Sequence, residues 1–145
     1  MNTRNHNPDG LPDILPVPGS LRAAAQAAVA RREPFIVLVT LKGCAFCDVV
    51  RNNYLGPMAR RGEVVAVQVN MLDRTTPLQD LQGQITTPHA QAQVWKARIA
   101  PTVLFLDGQG RELAERLEGM GLADFYGAYL QDRIDTARQK LRARP

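Results

Sequence analysis

The sequence predicts an α/β domain with a central mixed β-sheet flanked by helices on both faces. Three observations lead there. The runs FIVLVTL (35–41), EVVAVQVNM (63–71) and TVLFLD (102–107) are apolar and rich in β-branched residues, the composition of strands buried on both faces. Segments of helical periodicity separate and flank them, and strand–helix–strand over 35–71 describes a parallel crossover unit. The chain's 145 residues suffice for one core.

The elements follow in order. Residues 1–19 hold Pro8, Pro12, Pro16 and Pro18 with little periodicity and read as an extended or mobile arm before a domain at 20–145. Ser20 is suited to cap a helix running to about Arg32, with Leu21, Ala25, Ala28 and Val29 on one face. After the first strand, Gly43 leads into Cys-Ala-Phe-Cys and a helical pattern ending near Pro57. Leu78–Leu81 and Gln84–Thr86 flank Gln82-Gly83 as a small hairpin. Thr87-Pro88 starts a helix to about Arg98, because proline suits the first helical position. After the third buried strand, Gly108-Gln109-Gly110 turns the chain into the alternating segment Arg111–Leu117, an expected antiparallel edge strand. The last helix, 122–142, carries the stripe Tyr126, Leu130, Ile134, Ala137 and Leu141. The central strands are expected to be parallel. No internal repeat or low-complexity tract interrupts this order.

Composition narrows the function classes. Hydrophobic residues at 45% and charged residues at 22% are ordinary for a globular domain. The formal charge is +4, but the arginines are dispersed, so no nucleic-acid partner is expected. The local cluster Arg138, Lys140, Arg142 and Arg144 is accounted for as a solvated helix C-terminus, which favours cations. No apolar run is long enough to span a bilayer. The opening MNTRNHNPDG lacks the features of a signal peptide, which leaves two readings: a cytoplasmic protein, or an exported domain in mature form.

The chemistry lies with Cys44 and Cys47, the whole cysteine inventory. Closing so short a loop removes little entropy from the unfolded chain, so the pair is a poor structural staple. A closed zinc site needs four ligands, and only His6 and His89 are at hand to supplement the cysteines, so no metal is expected. Placed after a buried strand and in the first turn of a helix, a Cys44 thiolate gains from unpaired N–H groups and the positive dipole end. Cys47 lies one turn deeper on the same side, where it is able to attack a mixed disulfide at Cys44. Inert thiols are the plain alternative. Phe46 sits between the cysteines on an exposed turn, open to a substrate-facing contact or to simple packing. His89 reads as solvated and Trp95 as packed on the sheet; Tyr54, Phe125, Tyr126 and Tyr129 have core and boundary spacing.

Ile99-Ala100-Pro101-Thr102 stands just before the third strand. With CAFC, the order of elements and the terminal helix, the chain resembles the thioredoxin superfamily over residues 20–142. The resemblance implies a thioredoxin fold and thiol–disulfide oxidoreductase activity without a cofactor. It makes Cys44 the attacking thiol, Cys47 the resolving thiol, Pro101 a cis-proline facing the disulfide, and Ala100 a source of backbone groups for an extended substrate. Its partners would be protein or small-molecule thiols and disulfides and a separate redox partner, met by a monomer in the periplasm. The hairpin around Gly83 is similar to that of exported, sulfur-oxidation-associated thioredoxins. The chain departs from the family pattern at Gly43 in place of tryptophan, at Ala45-Phe46 in place of Gly-Pro, at Leu38 in place of a buried aspartate, and at Asp48 in place of lysine. Leu38 removes the expected proton acceptor for Cys47, and Asp48 would oppose thiolate formation if it pointed inward. An isomerase or oxidase with the same cysteines, and a redox-inactive module presenting Phe46 and Ala100, are the alternatives.

Overall fold

The computed structural model describes residues 6–143. Arg144 of the basic cluster and residues 1–5 of the arm lie outside the described residues. A four-stranded sheet has the order β2 (Val65–Asn70), β1 (Phe35–Thr40), β5 (Thr102–Leu106) and β6 (Leu117–Glu118). Every residue of β1 is buried. Its alternation feeds two cores: Phe35, Val37 and Val39 face one side, Ile36 and Leu38 the other. The first core is covered by α1 (Leu21–Ala30) and α4 (Pro88–Val94), the second by the helix that follows the cysteines and by α5 (Tyr126–Arg142). This is a thioredoxin fold.

Several expectations need correction. β1 pairs parallel with β2 but antiparallel with β5, so only one central pairing is parallel. The 111–117 segment is not a continuous edge strand. Leu106 pairs with Glu112 and Val103 with Leu117, a register that leaves two extra residues on the outer strand. Leu113 and Ala114 take up that excess by both turning into the core, which breaks the alternation. Val29 is 56% exposed, because one residue beyond Ala28 is a rotation of about 100° off the buried stripe. Of the supposedly solvated basic cluster, Arg138 and Arg142 grip the buried carboxylate of Glu33 at 2.9 and 2.5 Å, tying the end of α5 to the start of β1.

Caps explain the helix starts. Ser20 Oγ accepts from Ala23 N at 3.0 Å, and Thr87 Oγ1 from Ala90 N at 3.2 Å. Between β2 and α4, β3 (Leu78–Gln79) and β4 (Ile85–Thr86) make the expected hairpin, turned by Gly83 at φ +88°. Asp73 organises the loop before it. Burial alone would raise its pKa, but hydrogen bonds from Thr76 and Thr75 outweigh that and hold the carboxyl below its ordinary value.

The described part of the arm, residues 6–19, turns at 8–9 and 13–14 and packs on the domain. Leu11 and Leu15 are buried, and Pro16 O accepts from Gln68 N on the edge strand β2 at 2.9 Å. Gln68 Nε2 donates to Pro12 O and Leu15 O at 2.7 and 2.9 Å, and Asn70 Nδ2 to Asp9 at 2.7 Å. The prolines prevent a regular ladder, so the arm covers the edge without itself becoming a pairing edge.

Two predictions follow from this packing. Leu15→Ala should cost about 2–5 kcal/mol in urea denaturation, as for other buried leucines. Asp73→Asn should lose about 1–3 kcal/mol at neutral pH. A depressed carboxyl stabilises the fold above its unfolded pKa of about 4 and loses that contribution as pH falls through the lower folded value. The gap between wild type and Asp73→Asn should therefore narrow in denaturation curves taken under acid conditions.

Candidate active site

Strand β1 ends at Thr40, and Gly43 at φ +80° turns the chain back toward the sheet. Cys44 is then the N-cap of α2 (Ala45–Val49), with extended φ −100° and ψ 106°. Its sulfur accepts from Cys47 N at 3.1 Å, the position an N-cap oxygen normally takes. Cys44 Sγ thus takes one orphan donor of the first helical turn, where negative charge is favoured. Cys44 is half-buried, Cys47 is fully buried, and a disulfide joins them across a Cα–Cα distance of 5.2 Å.

The helix does not stop at Pro57. It continues through a π-helical stretch (Val50–Leu55) into α3 (Gly56–Arg60). Proline lacks an N–H and crowds the carbonyl a turn before it, and the wider π turn accommodates this, with Gly56 N reaching back to Arg51 O.

The structure brings Ala100 and Pro101 to the disulfide. Ala100 O lies 3.8 Å from Cys44 Sγ, and the Ala100–Pro101 peptide is cis. Thr102 Oγ1 donates to Ile99 O at 2.7 Å and Gly119 N to Pro101 O at 2.7 Å, which fixes this loop from both sides. Phe46 is 58% exposed beside the cysteines, and Ile99, just before Ala100, is 47% exposed. The sequence-selected residues other than these do not join the site. His6 packs against Gly19, His89 lies at the start of α4, and Trp95 packs on the α1/α4 core. Among the described residues no group of three or more His, Cys, Asp and Glu side chains is placed to hold a metal ion.

Asp48 points outward, 53% exposed, and pairs with Arg51 at 2.5 Å. Leu38 is fully buried among apolar neighbours, and no carboxylate replaces the missing acceptor at that position. Sequence reading missed Arg51, whose side chain is 1% exposed. The available signal was its spacing: it stands one turn after Cys47 within the buried series Cys47, Val50, Arg51 and Leu55.

Fold and site together define a thioredoxin-type domain with a paired Cys-x-x-C at a helix N-terminus. The model of the thioredoxin-like domain family matches residues 21–134, and the chain belongs to that family. A DsbH oxidoreductase structure superposes with a TM-score of 0.54 at 15% identity, covering 96% of this chain and 94% of that one. A thioredoxin h from poplar gives 0.52 at 12% identity, covering 76% and 85% of the two chains. A thioredoxin-fold protein from Helicobacter pylori gives 0.50 at 16% identity, covering 78% and 82%. At these identities the likeness is one of fold. Among curated proteins none matches this chain in sequence.

The N-cap geometry predicts that the Cys44 thiol of a reduced Cys47→Ser variant titrates below the free-cysteine value of about 8.5. Following thiolate absorbance against pH measures it, and a value at or above the free thiol would contradict an activating helix end.

Proposed function

We propose that this chain is a thiol–disulfide oxidoreductase in which Cys44 attacks and Cys47 resolves. The observation that carries this reading is the asymmetry of the pair: Cys44 Sγ is half-buried and accepts from a helix N-terminal N–H, while Cys47 is fully buried behind it. Running toward substrate reduction, the Cys44 thiolate attacks a substrate disulfide, forms a mixed disulfide and releases one substrate thiolate. Cys47 then loses its proton and attacks Cys44 Sγ. The Cys44–Cys47 bond forms and the second substrate thiolate leaves, so the protein dithiol gives up two electrons and the substrate disulfide gains them. The reverse sequence oxidises a dithiol. Which direction prevails depends on the reduction potential of the pair.

Ala100 and Pro101 are the proposed backbone platform for an extended substrate segment, and Phe46 its apolar contact; the 3.8 Å approach of Ala100 O to Cys44 Sγ supports this. Protein or small-molecule disulfides are the proposed substrates of a monomeric enzyme supplied by a separate redox partner. We place it in the periplasm, an oxidising compartment where such pairs operate, with kinship to exported, sulfur-oxidation-associated thioredoxins. The hairpin before α4 supports that narrower kinship.

Trapping tests the mechanism. Cys47→Ser should accumulate covalent adducts through Cys44, whereas Cys44→Ser should trap almost none, read by mass spectrometry of adducts from cell extract. Equal trapping by both variants would overturn the assignment of roles. Absence of insulin disulfide reduction by the wild type with a chemical reductant would favour a redox-inactive module.

A further inference from the structure

Beneath the cysteine helix lies a set of buried polar groups that the mechanism above leaves unused. Thr40, Gln68 and Asn70 share with Leu38 and Ala66 the face of β1 and β2 that this helix covers. Thr40 and Gln68 are fully buried, and Thr40 Oγ1 and Gln68 Oε1 have no hydrogen-bond partner among the described residues. Arg51 joins them from the helix. Its Nη2 binds Asp48 and its Nε binds Asn52 at 3.2 Å, yet Nη1 is buried and unpaired among the described residues. A buried guanidinium costs several kcal/mol in desolvation, and a single half-exposed carboxylate is a weak offset because solvent screens it.

The direction of the side chain matters. Helical side chains lean toward the helix N-terminus, so Arg51 reaches back along the turn that carries Cys47, as its contact with Asp48 requires. Asp48 is half-exposed, whereas Arg51 and Cys47 are both buried, four positions apart on the same helix, with Leu38 and no carboxylate opposite; among the described residues Arg51 makes no hydrogen bond to the Cys47 sulfur. The other elements on this face present Thr40 from β1, Gln68 and Asn70 from β2, Tyr126 from α5, and Asp9 from the arm, which Asn70 engages.

We propose that Arg51 is a positioning residue for the resolving thiol, stabilising the buried Cys47 thiolate by charge where the family pattern would use a buried carboxylate as proton acceptor. The inference rests on the oxidoreductase reading. In the resolving step the Cys47 proton passes to solvent, the thiolate forms its bond to Cys44 Sγ, and the Cys44–substrate bond breaks. The substrate leaves with that bond's electron pair and takes a proton from solvent. Arg51 neither gives nor receives a proton.

The test equilibrates the whole chain with reduced and oxidised glutathione at a pH above the Cys47 titration, where the reduced protein carries the thiolate, and reads the oxidised fraction. Arg51→Met should hold its disulfide about tenfold more strongly than wild type, equivalent to about 30 mV. Arg51→Lys should stay within about twofold, since it keeps the charge. Asp48→Asn removes no buried group and should move the equilibrium the other way, by about threefold, as the guanidinium loses its counter-charge. In a Cys44→Ser background, Arg51→Met should raise the Cys47 titration by about one pH unit. A merely structural ion pair would lower stability in both single variants and leave the equilibrium in place. Either folded variant remaining within twofold of wild type overturns the proposal, and Asp48→Asn alone decides if Arg51→Met does not fold. A wild-type disulfide that does not exchange with glutathione would instead overturn the oxidoreductase reading itself.

Discussion

Strand β1 has no face turned to water, and the organisation of the domain follows from that constraint. All six of its residues, Phe35 to Thr40, are buried, so both sheet faces need a layer of helix. One layer comes from α1 and α4. The other comes from α5 and the helix that must begin where β1 ends, because the chain leaves the strand at Thr40 with its next buried surface on the second face. Gly43 makes the reversal, and the first residue after it caps the helix. In this chain that residue is Cys44. The apolar strand therefore fixes the place of the sulfur, and the helix end fixes its charge preference. The same strand sets Val39 opposite Thr102, which brings Pro101 and Ala100 to the sulfur from the other side.

Much of this was legible in the residues. Three apolar β-branched runs, a capped Ala-rich helix and Cys-Ala-Phe-Cys after a buried strand identify the layers and the site, because composition and period report burial directly. What was not legible depends on partners distant in sequence. The antiparallel course of β5 is set by the 31 residues of loop, hairpin and α4 between Asn70 and Thr102, whose local pattern does not carry the direction in which the chain re-enters the sheet. The edge segment lost its strand because Leu113 and Ala114 both turn inward, against the alternation of Arg111–Leu117. Arg138 and Arg142 read as a solvated helix end until the fold delivers Glu33 to them across more than 100 residues of sequence. Arg51 resembles any helix-surface arginine in isolation. Only the helix phase, together with the burial of Cys47 and Leu55, places it inside.

The irregular helix and the arm belong to one packing problem. Pro57 cannot continue an α-helix without losing a hydrogen bond and crowding the preceding turn, and the π stretch from Val50 to Leu55 absorbs this. Gly56, at the end of that stretch, has room for no side chain: a Cβ there would lie 2.6 Å from both Arg51 O and Ile14 Cγ1. Ile14 therefore seats the arm directly on the helix backbone at the turn that begins with Arg51. Leu15, Pro12 and Pro16 fasten the same arm to Gln68 on β2. The cysteine helix is thus held from the sheet side by the core and from the edge by the arm. The buried polar groups Arg51, Gln68 and Thr40 lie on the face that these contacts enclose. A helix held at both borders cannot rotate outward to hydrate Arg51, so its charge stays in the interior, where Cys47 is buried as well.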